Sequence, residues 1–205
     1  VQALQRRAHS PRVVDFKRLN TVVRYSRRKR VGIFYGPLDM SKLCITVFSD
    51  AAFKAVPEES SGLALRGCVI LLAEADKDEL LSPEGKCHML EYVCRRQRRV
   101  VRSTYSAELN GLIDSVEVTL LVQFLLHQLY YGTHQSSSQL ARAQESGQLR
   151  PPVKAATDAR AVFDSVAAPD ICEPQESSLK LHLLSLRDKV AYGTIDSLFW
   201  SDTRD

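Results

Sequence analysis

A change of hydrophobic period near residue 103 constrains the fold of this chain more than any other feature. Before it, apolar residues form three extended runs, 43–48, 63–75 and 88–101, separated by polar turns. After it, apolar residues recur every three or four positions from Leu109 to Leu129, and the pattern stops before Gly132. The first pattern is typical of consecutive strands, and the second is typical of a helix of about six turns. We therefore expect an antiparallel meander followed by one long helix.

The rest of the chain alternates between the two patterns. It predicts a strand at PPVKAAT, a short helix at ARAVFDSVAA, a second helix at LKLHLLSLRDKVAY and a last strand at TIDSLFWS, on which Trp200 is expected to pack in the core. The polar, Ser- and Gln-rich stretch 133–150 predicts a surface loop or insertion. This order predicts an α/β fold with an antiparallel half and a parallel half.

Composition and charge narrow the class of protein. The 205 residues are 44% apolar and 25% charged, which suits one main soluble domain with an appendage, and no run reaches the roughly 18 apolar residues of a membrane span. Residues 1–30 carry ten Lys or Arg and a single acid, Asp15. Within them, Val13 to Tyr25 predicts an amphipathic helix with a basic back, and residues 32–37 predict a short strand.

A second basic cluster lies in CRRQRRVVR, just before the long helical pattern. Its arginines are Arg95, Arg96, Arg98, Arg99 and Arg102. Such clusters bind polyanions, although arginines on an exposed edge strand also keep a surface soluble. A polyanion site becomes the better interpretation if acidic metal ligands lie between the two clusters.

Three carboxylates occupy matched positions in the predicted elements. Asp50 closes the strand pattern of CITVFSD, Glu108 lies in the first turns of the long helix, and Asp158 follows the next strand. Taken singly, Asp50 fits a turn former, Glu108 fits a residue at the positive end of a helix, and Asp158 fits an N-cap. Together they predict a cluster, because strand ends and a packed helix converge at one sheet edge. Clustered carboxylates suit hard divalent ions, and a pair of such ions supports phosphodiester cleavage.

Four blocks of the chain resemble the ribonuclease H domain at the end of copia-type retrotransposon polyproteins. They are FSDAAF, CRRQRRVVRSTYSAELNGLIDSVE, TDARAVFDSV and LLSLRDKVAYGTIDSLFWSDTRD. The family blocks read roughly SDADWAG, SKKQxxVxxSSxEAEY, DNxxAI and IRExVxxGxIxLxxVxT. The preceding VVDFKRLNTVVRYSRRKRVGIFYG resembles the segment that links the reverse transcriptase to this domain.

The resemblance implies a ribonuclease H-like fold, a five-stranded mixed sheet with three antiparallel and two parallel strands, flanked by helices. It implies cleavage of the RNA strand of RNA–DNA hybrids with two Mg²⁺ or Mn²⁺ ions, held by Asp50, Glu108 and Asp158. The arginines of 95–102 match a lysine-rich strand that contacts nucleic acid. An adjoining reverse transcriptase domain is the implied partner, with no membrane, and the implied location is a cytoplasmic virus-like particle or the nucleus.

The match to the family is incomplete at several positions. Ala52 and Ala159 stand where the family has a second acid and an asparagine. The family's fourth carboxylate falls beyond Asp205, so we expect a C-terminally truncated piece, in which 1–40 is a basic connecting helix and strand and 41–205 is the ribonuclease H-like domain without its last helix. Asp202 and Asp205 are out of register with that carboxylate.

Two other functions remain open from the sequence. One is an inactive retroelement remnant that still binds nucleic acid through its arginines. The other is a polynucleotidyl transferase on the same fold, although the middle acid of this chain, Glu108, lies on a helix between two strand-end aspartates, whereas integrases carry their glutamate on a late helix.

Overall fold

A computed structural model describes residues 10–29, 33–53, 63–131, 135–170, 174 and 176–202. The chain divides into two compact units, Val1–Gly36 and Pro37–Asp205.

The first unit contains one helix, α1, at Val13–Arg28 among its described residues. The predicted helix is therefore confirmed and is three residues longer than expected. The Arg12 N–H donates a hydrogen bond to Asp15 in the first turn and so satisfies one of the helix's free donors.

The strand predicted at 32–37 is wrong, because described residues 33–39 form no strand. Phe34 is 88% exposed there, and an apolar pattern without a neighbouring strand to pair with does not form a sheet.

Five strands of the second unit form one sheet in the order β3-β2-β1-β4-β5. The strands are β1 Leu43–Ala52, β2 Leu63–Glu74, β3 Cys87–Val100, β4 Val153–Thr157 and β5 Ser197–Trp200. β1 pairs antiparallel with β2, and β2 pairs antiparallel with β3. β1 pairs parallel with β4, and β4 pairs parallel with β5. The mixed sheet implied by the ribonuclease H resemblance, with three antiparallel and two parallel strands, is confirmed.

Four α-helices of the second unit accompany the sheet in the described residues. They are α2 Thr104–Tyr131, α3 Ser137–Glu145, α4 Arg160–Ala167 and α5 Lys180–Ala191. α2 has the length and composition of a membrane span, but half of it is buried within the protein, as in the core helix of a soluble domain. Its residues Leu109, Leu112 and Val116 pack with Ile45 and Val47 of β1 in the main core.

The stretch 133–150 is not the polar loop that its composition predicts. Within it, α3 begins after Ser136, whose hydroxyl accepts a hydrogen bond from the Gln139 N–H, a standard helix-start arrangement. Leu140 and Leu149 are each 1% exposed, and the Gln144 side chain donates to the Leu120 carbonyl of α2. Two buried leucines and the hydrogen bond from Gln144 to α2 therefore attach this segment to the domain.

Candidate metal centre and nucleic-acid interface

Strand register brings Asp50 and Asp158 to the same sheet edge. Ser49 of β1 is paired with Thr157 of β4 in the parallel ladder, and each aspartate follows immediately. The carboxyl ends of parallel strands face one edge, where functional groups of open α/β sheets collect. Asp50 still lies inside β1 and pairs with Gly67 of β2, so its interpretation as a turn former is wrong.

Small residues bring Glu108 to this edge. Ala107 and Ala51 are buried together, and a Cβ added to Gly111 would lie 3.3 Å from the Ala51 Cβ, so α2 and β1 approach closely. At this separation the Ala51 N–H donates a hydrogen bond to the Glu108 carboxylate. Gly111 therefore allows the helix, and Glu108 with it, to lie close to the strand.

The three carboxylates form one cluster. One ligand oxygen from each of Asp50, Glu108 and Asp158 lies within 4.8 Å of the others. Burial first, and then the negative charges of Asp158 and Asp50, raise the pKa of Glu108 to about 8. Burial and the nearby Asp50 likewise raise the pKa of Asp158. Without a cation, Glu108 therefore carries a proton at neutral pH.

The cluster fits a divalent cation. The Oδ1 atom of Asp158 is buried and has no hydrogen-bond partner among the described residues, which is costly unless a cation contacts it. Asp158 does not cap α4, because the N-cap is Ala159 and no side chain caps it there, so the N-cap interpretation is wrong. A set of three carboxylates is the donor chemistry that Mg²⁺ and Mn²⁺ prefer.

A cleft of about 470 Å³ opens beside the cluster on the face of the sheet opposite α2. Asp50, Asp158, Ser201 and Asp202 line it together with apolar residues of β1, β2 and β3. Among the described residues, Asp202 lies in this cleft without belonging to the group of three oxygens within 4.8 Å. Asp205 lies outside the described residues.

The predicted basic cluster lies on and just after β3, at one edge of the sheet. Arg95, Arg98, Arg99 and Arg102 are exposed, and Arg96 is half-buried. Cys94 of β3, Gly67 of β2 and Asp50 of β1 are paired in one row, so the arginines begin two strand spacings, about 10 Å, from the carboxylates. Arg99 also donates a hydrogen bond of 2.8 Å to the Nε2 atom of His182 on α5.

The sequence prediction missed one arrangement beside the cluster, formed by Arg160 and Trp200. The Trp200 Nε1–H donates to the carbonyl oxygen of Asp158 at 3.2 Å, and the Arg160 guanidinium carbon lies 4.7 Å from the Trp200 ring centroid. Trp200 is 37% exposed, so the expectation of core packing is wrong. The one signal in the sequence is an arginine two residues after a candidate ligand, since the pairing of Thr157 with Trp200 is not visible there.

No protein-family model matches the chain, and no curated protein matches it significantly. Several solved ribonuclease H structures resemble it weakly. Ribonuclease H1 from Halobacterium salinarum is 13% identical over 78% of this chain and 87% of its own, with a TM-score of 0.42. The N-terminal ribonuclease H domain of a Mycobacterium tuberculosis protein is 13% identical over 79% of this chain and 84% of its own, with a TM-score of 0.41.

The LC11 ribonuclease H1, solved in complex with an RNA/DNA hybrid, is 12% identical over 78% of this chain and 86% of its own, with a TM-score of 0.38. At these identities and TM-scores, the neighbours carry no argument about the chemistry of this chain.

Proposed function

We propose that this chain is a metal-dependent endonuclease that cleaves the RNA strand of RNA–DNA hybrids. One observation supports the proposal above all: Asp50, Glu108 and Asp158, from two strands and a helix, converge to within 4.8 Å at one sheet edge. The exposed arginines of β3 lie beside this edge and suit the phosphates of a nucleic acid.

In this proposal the three carboxylates hold Mg²⁺ or Mn²⁺, in one or two ions. The bound ions supply Lewis acidity, which makes water a nucleophile and stabilises the leaving oxygen of a phosphodiester. The residues of the chain prepare the centre. The Ala51 N–H orients the Glu108 carboxylate, and the Oδ1 of Asp158, which has no hydrogen-bond partner among the described residues, offers a lone pair. Glu108 would release its proton on binding a cation, because a positive charge would offset the burial and the two like charges that raise its pKa to about 8.

The arginines have a separate role, which is to position the substrate. Arg95, Arg98 and Arg102 are exposed and lie on or beside the edge strand, so they can contact backbone phosphates without reading bases. Arg99 is held by His182 and by the Asn110 side chain, which limits its rotation. A hybrid bound by these residues would lie across the sheet toward the carboxylates.

We further propose that the domain belongs to a copia-type retrotransposon polyprotein, with 1–40 connecting it to a reverse transcriptase domain. The four sequence blocks in their order and the basic helix α1 support this origin. Such a protein would act in a cytoplasmic virus-like particle or in the nucleus. Sequencing the transcript upstream of Val1 tests the origin, because a reading frame without reverse transcriptase motifs would contradict it.

The direct test of activity is cleavage of an RNA–DNA hybrid of about 20 base pairs with a labelled RNA strand. We expect cleavage with Mg²⁺ or Mn²⁺ that stops on adding EDTA, and no cleavage of matched DNA–DNA or RNA–RNA duplexes. Asp50→Asn should lower the rate at least 100-fold, whereas Asp78→Asn, in the turn after β2, should leave it unchanged. A wild-type protein that binds the metal and does not cleave the hybrid would refute the nuclease.

A second candidate function is nucleic-acid binding without cleavage. The exposed arginines of β3 can contact backbone phosphates whether or not the three carboxylates cleave, which is the observation behind this alternative. It predicts salt-dependent binding of the hybrid that survives Asp50→Asn, since phosphate contacts supply most of such affinity. Binding by both proteins with no cleavage by either would support it over the enzyme.

A further inference from the structure

Arg160 occupies a defined position on the β5 side of the carboxylates. Its guanidinium lies over the ring of Trp200, whose indole N–H is fixed to the Asp158 carbonyl. Its Nε atom donates to both oxygens of Asp164, at 2.9 and 3.1 Å. The plane of the guanidinium is thus set by a ring beneath it and a carboxylate along one edge.

The outer edge of this guanidinium is available to a ligand. The Arg160 side chain is 60% exposed, and among the described residues its two Nη groups donate no hydrogen bond. A guanidinium presents its N–H groups in a fork that matches the oxygens of a phosphate. Since ring and carboxylate already restrict its rotation, binding such a ligand costs less side-chain entropy than it would for a free arginine.

The sheet order places this arginine and the β3 arginines on opposite sides of the carboxylates. Asp50 lies in β1 and Asp158 directly follows β4, and these two strands lie between the edge strands β3 and β5. Four interstrand spacings of about 4.8 Å separate the two edge strands by roughly 19 Å. A duplex that crosses the carboxylates would therefore meet arginine side chains at both edges.

We propose that Arg160, supported by Trp200, is a binding site for a backbone phosphate of the nucleic-acid substrate. This inference rests on the proposed function, because it assumes that a nucleic acid lies over the carboxylates. Arg160 is a positioning residue in this scheme. It anchors the strand next to the bond that is cut and does not contact the metal ions.

The test measures binding of a fluorescein-labelled RNA–DNA hybrid of about 20 base pairs by anisotropy, in EDTA and over a range of salt concentrations. Arg160→Ala should weaken binding about tenfold, the expected effect of losing one charge-assisted hydrogen bond. The slope of log K against log salt should become shallower by about 0.9, the contribution of one phosphate. The matched control is Arg142→Ala, which removes an exposed arginine of α3 and should change neither the affinity nor the salt slope.

The support from the ring is tested by two substitutions of Trp200. Trp200→Phe keeps an aromatic surface and should retain most of the affinity, whereas Trp200→Leu should approach the affinity of Arg160→Ala. With Mg²⁺, Arg160→Ala should raise KM with little change in kcat, because the contact is made equally in the ground state and the transition state. Circular dichroism checks that each variant is folded.

The outcomes separate this inference from the proposed function. If the wild-type protein binds or cleaves the hybrid and folded Arg160→Ala does so with the same affinity and salt slope, the phosphate site is refuted and the proposed function stands. If the wild-type protein neither binds nor cleaves the hybrid, the proposed function is refuted, and the phosphate site falls with it. Equal losses in Arg160→Ala and Arg142→Ala would show a general effect of charge and would also refute the site.

Discussion

Replacing Glu108 by glutamine should stabilise the metal-free protein at alkaline pH. Glu108 as a whole residue is 8% exposed, and burial with two neighbouring carboxylates raises the pKa of its side chain from the ordinary 4.5 to about 8. A glutamine has nearly the same shape and still accepts the hydrogen bond of the Ala51 N–H. It carries no charge to bury, so the variant isolates the electrostatic cost of this position.

The sign and size of the effect follow from proton linkage. Below pH 4.5 Glu108 is protonated in the folded and unfolded states, and its charge costs nothing. Between pH 4.5 and 8 the unfolded chain loses this proton while the folded protein keeps it, so the free energy of unfolding falls by up to about 1.4 kcal/mol per pH unit. Above pH 8 both states are ionised, and the accumulated loss is on the order of 5 kcal/mol.

The assay is urea unfolding followed by circular dichroism, in EDTA, at one-unit steps from pH 5 to 9. The stability of Glu108→Gln minus that of the wild type should be small at pH 5 and should rise by several kcal/mol by pH 9. Glu84→Gln, an exposed residue in the turn between β2 and β3, is the control and should show a flat difference. A flat or falling difference for Glu108→Gln would refute the assignment of Glu108 to a buried, repulsive cluster.

Three further predictions test other parts of the structure. The affinity for Mn²⁺, measured by calorimetry, should rise up to tenfold per pH unit from pH 6 to 8 and then level off, because Glu108 must release its proton; a constant affinity would contradict this. Asp114→Ala should cost about 2 to 4 kcal/mol in urea unfolding, because it leaves the buried Arg66 without its ion-pair partner, and the double variant with Arg66→Met should recover most of the loss. Leu140→Ala should also cost about 2 to 4 kcal/mol, whereas a polar surface loop would lose almost nothing.

The strands, the main helices and the positions of the three acids were predictable because each depends on local pattern. β1, β2, β3 and α2 coincide closely with the hydrophobic periods that predicted them. α2 follows β3, which runs in the same direction as β1, and leads toward β4, which pairs parallel with β1. With these elements fixed, Asp50 and Asp158 had to come near the same edge. The sequence indicated that Glu108 lies on the helix near this edge, but it did not determine how closely its carboxylate approaches the two aspartates.

Features that depend on distant contacts were not predictable. The approach of Glu108 depends on Gly111 meeting Ala51, a contact between α2 and β1 that no local pattern reveals. The strand pattern at 32–37 lacks a partner strand in the described residues, and helix α3 depends on where Leu140 packs. The stacking of Arg160 on Trp200 joins residues 40 positions apart through the register of β4 and β5.

The arginines of β3 also affect how two copies of the chain meet. β3 runs for 14 residues and pairs only with β2 among the described strands, so its outer N–H and C=O groups form a template for a strand of another molecule. Two such edges brought together would place their arginines side by side, and this repulsion keeps the domains apart. Salt at 1 M shortens the range of that repulsion to about 3 Å, and a bound polyanion neutralises it. The proposed nucleic-acid binding and the repulsion between copies would therefore depend on the same positive charge, and conditions that neutralise it would expose an edge that is prone to self-association.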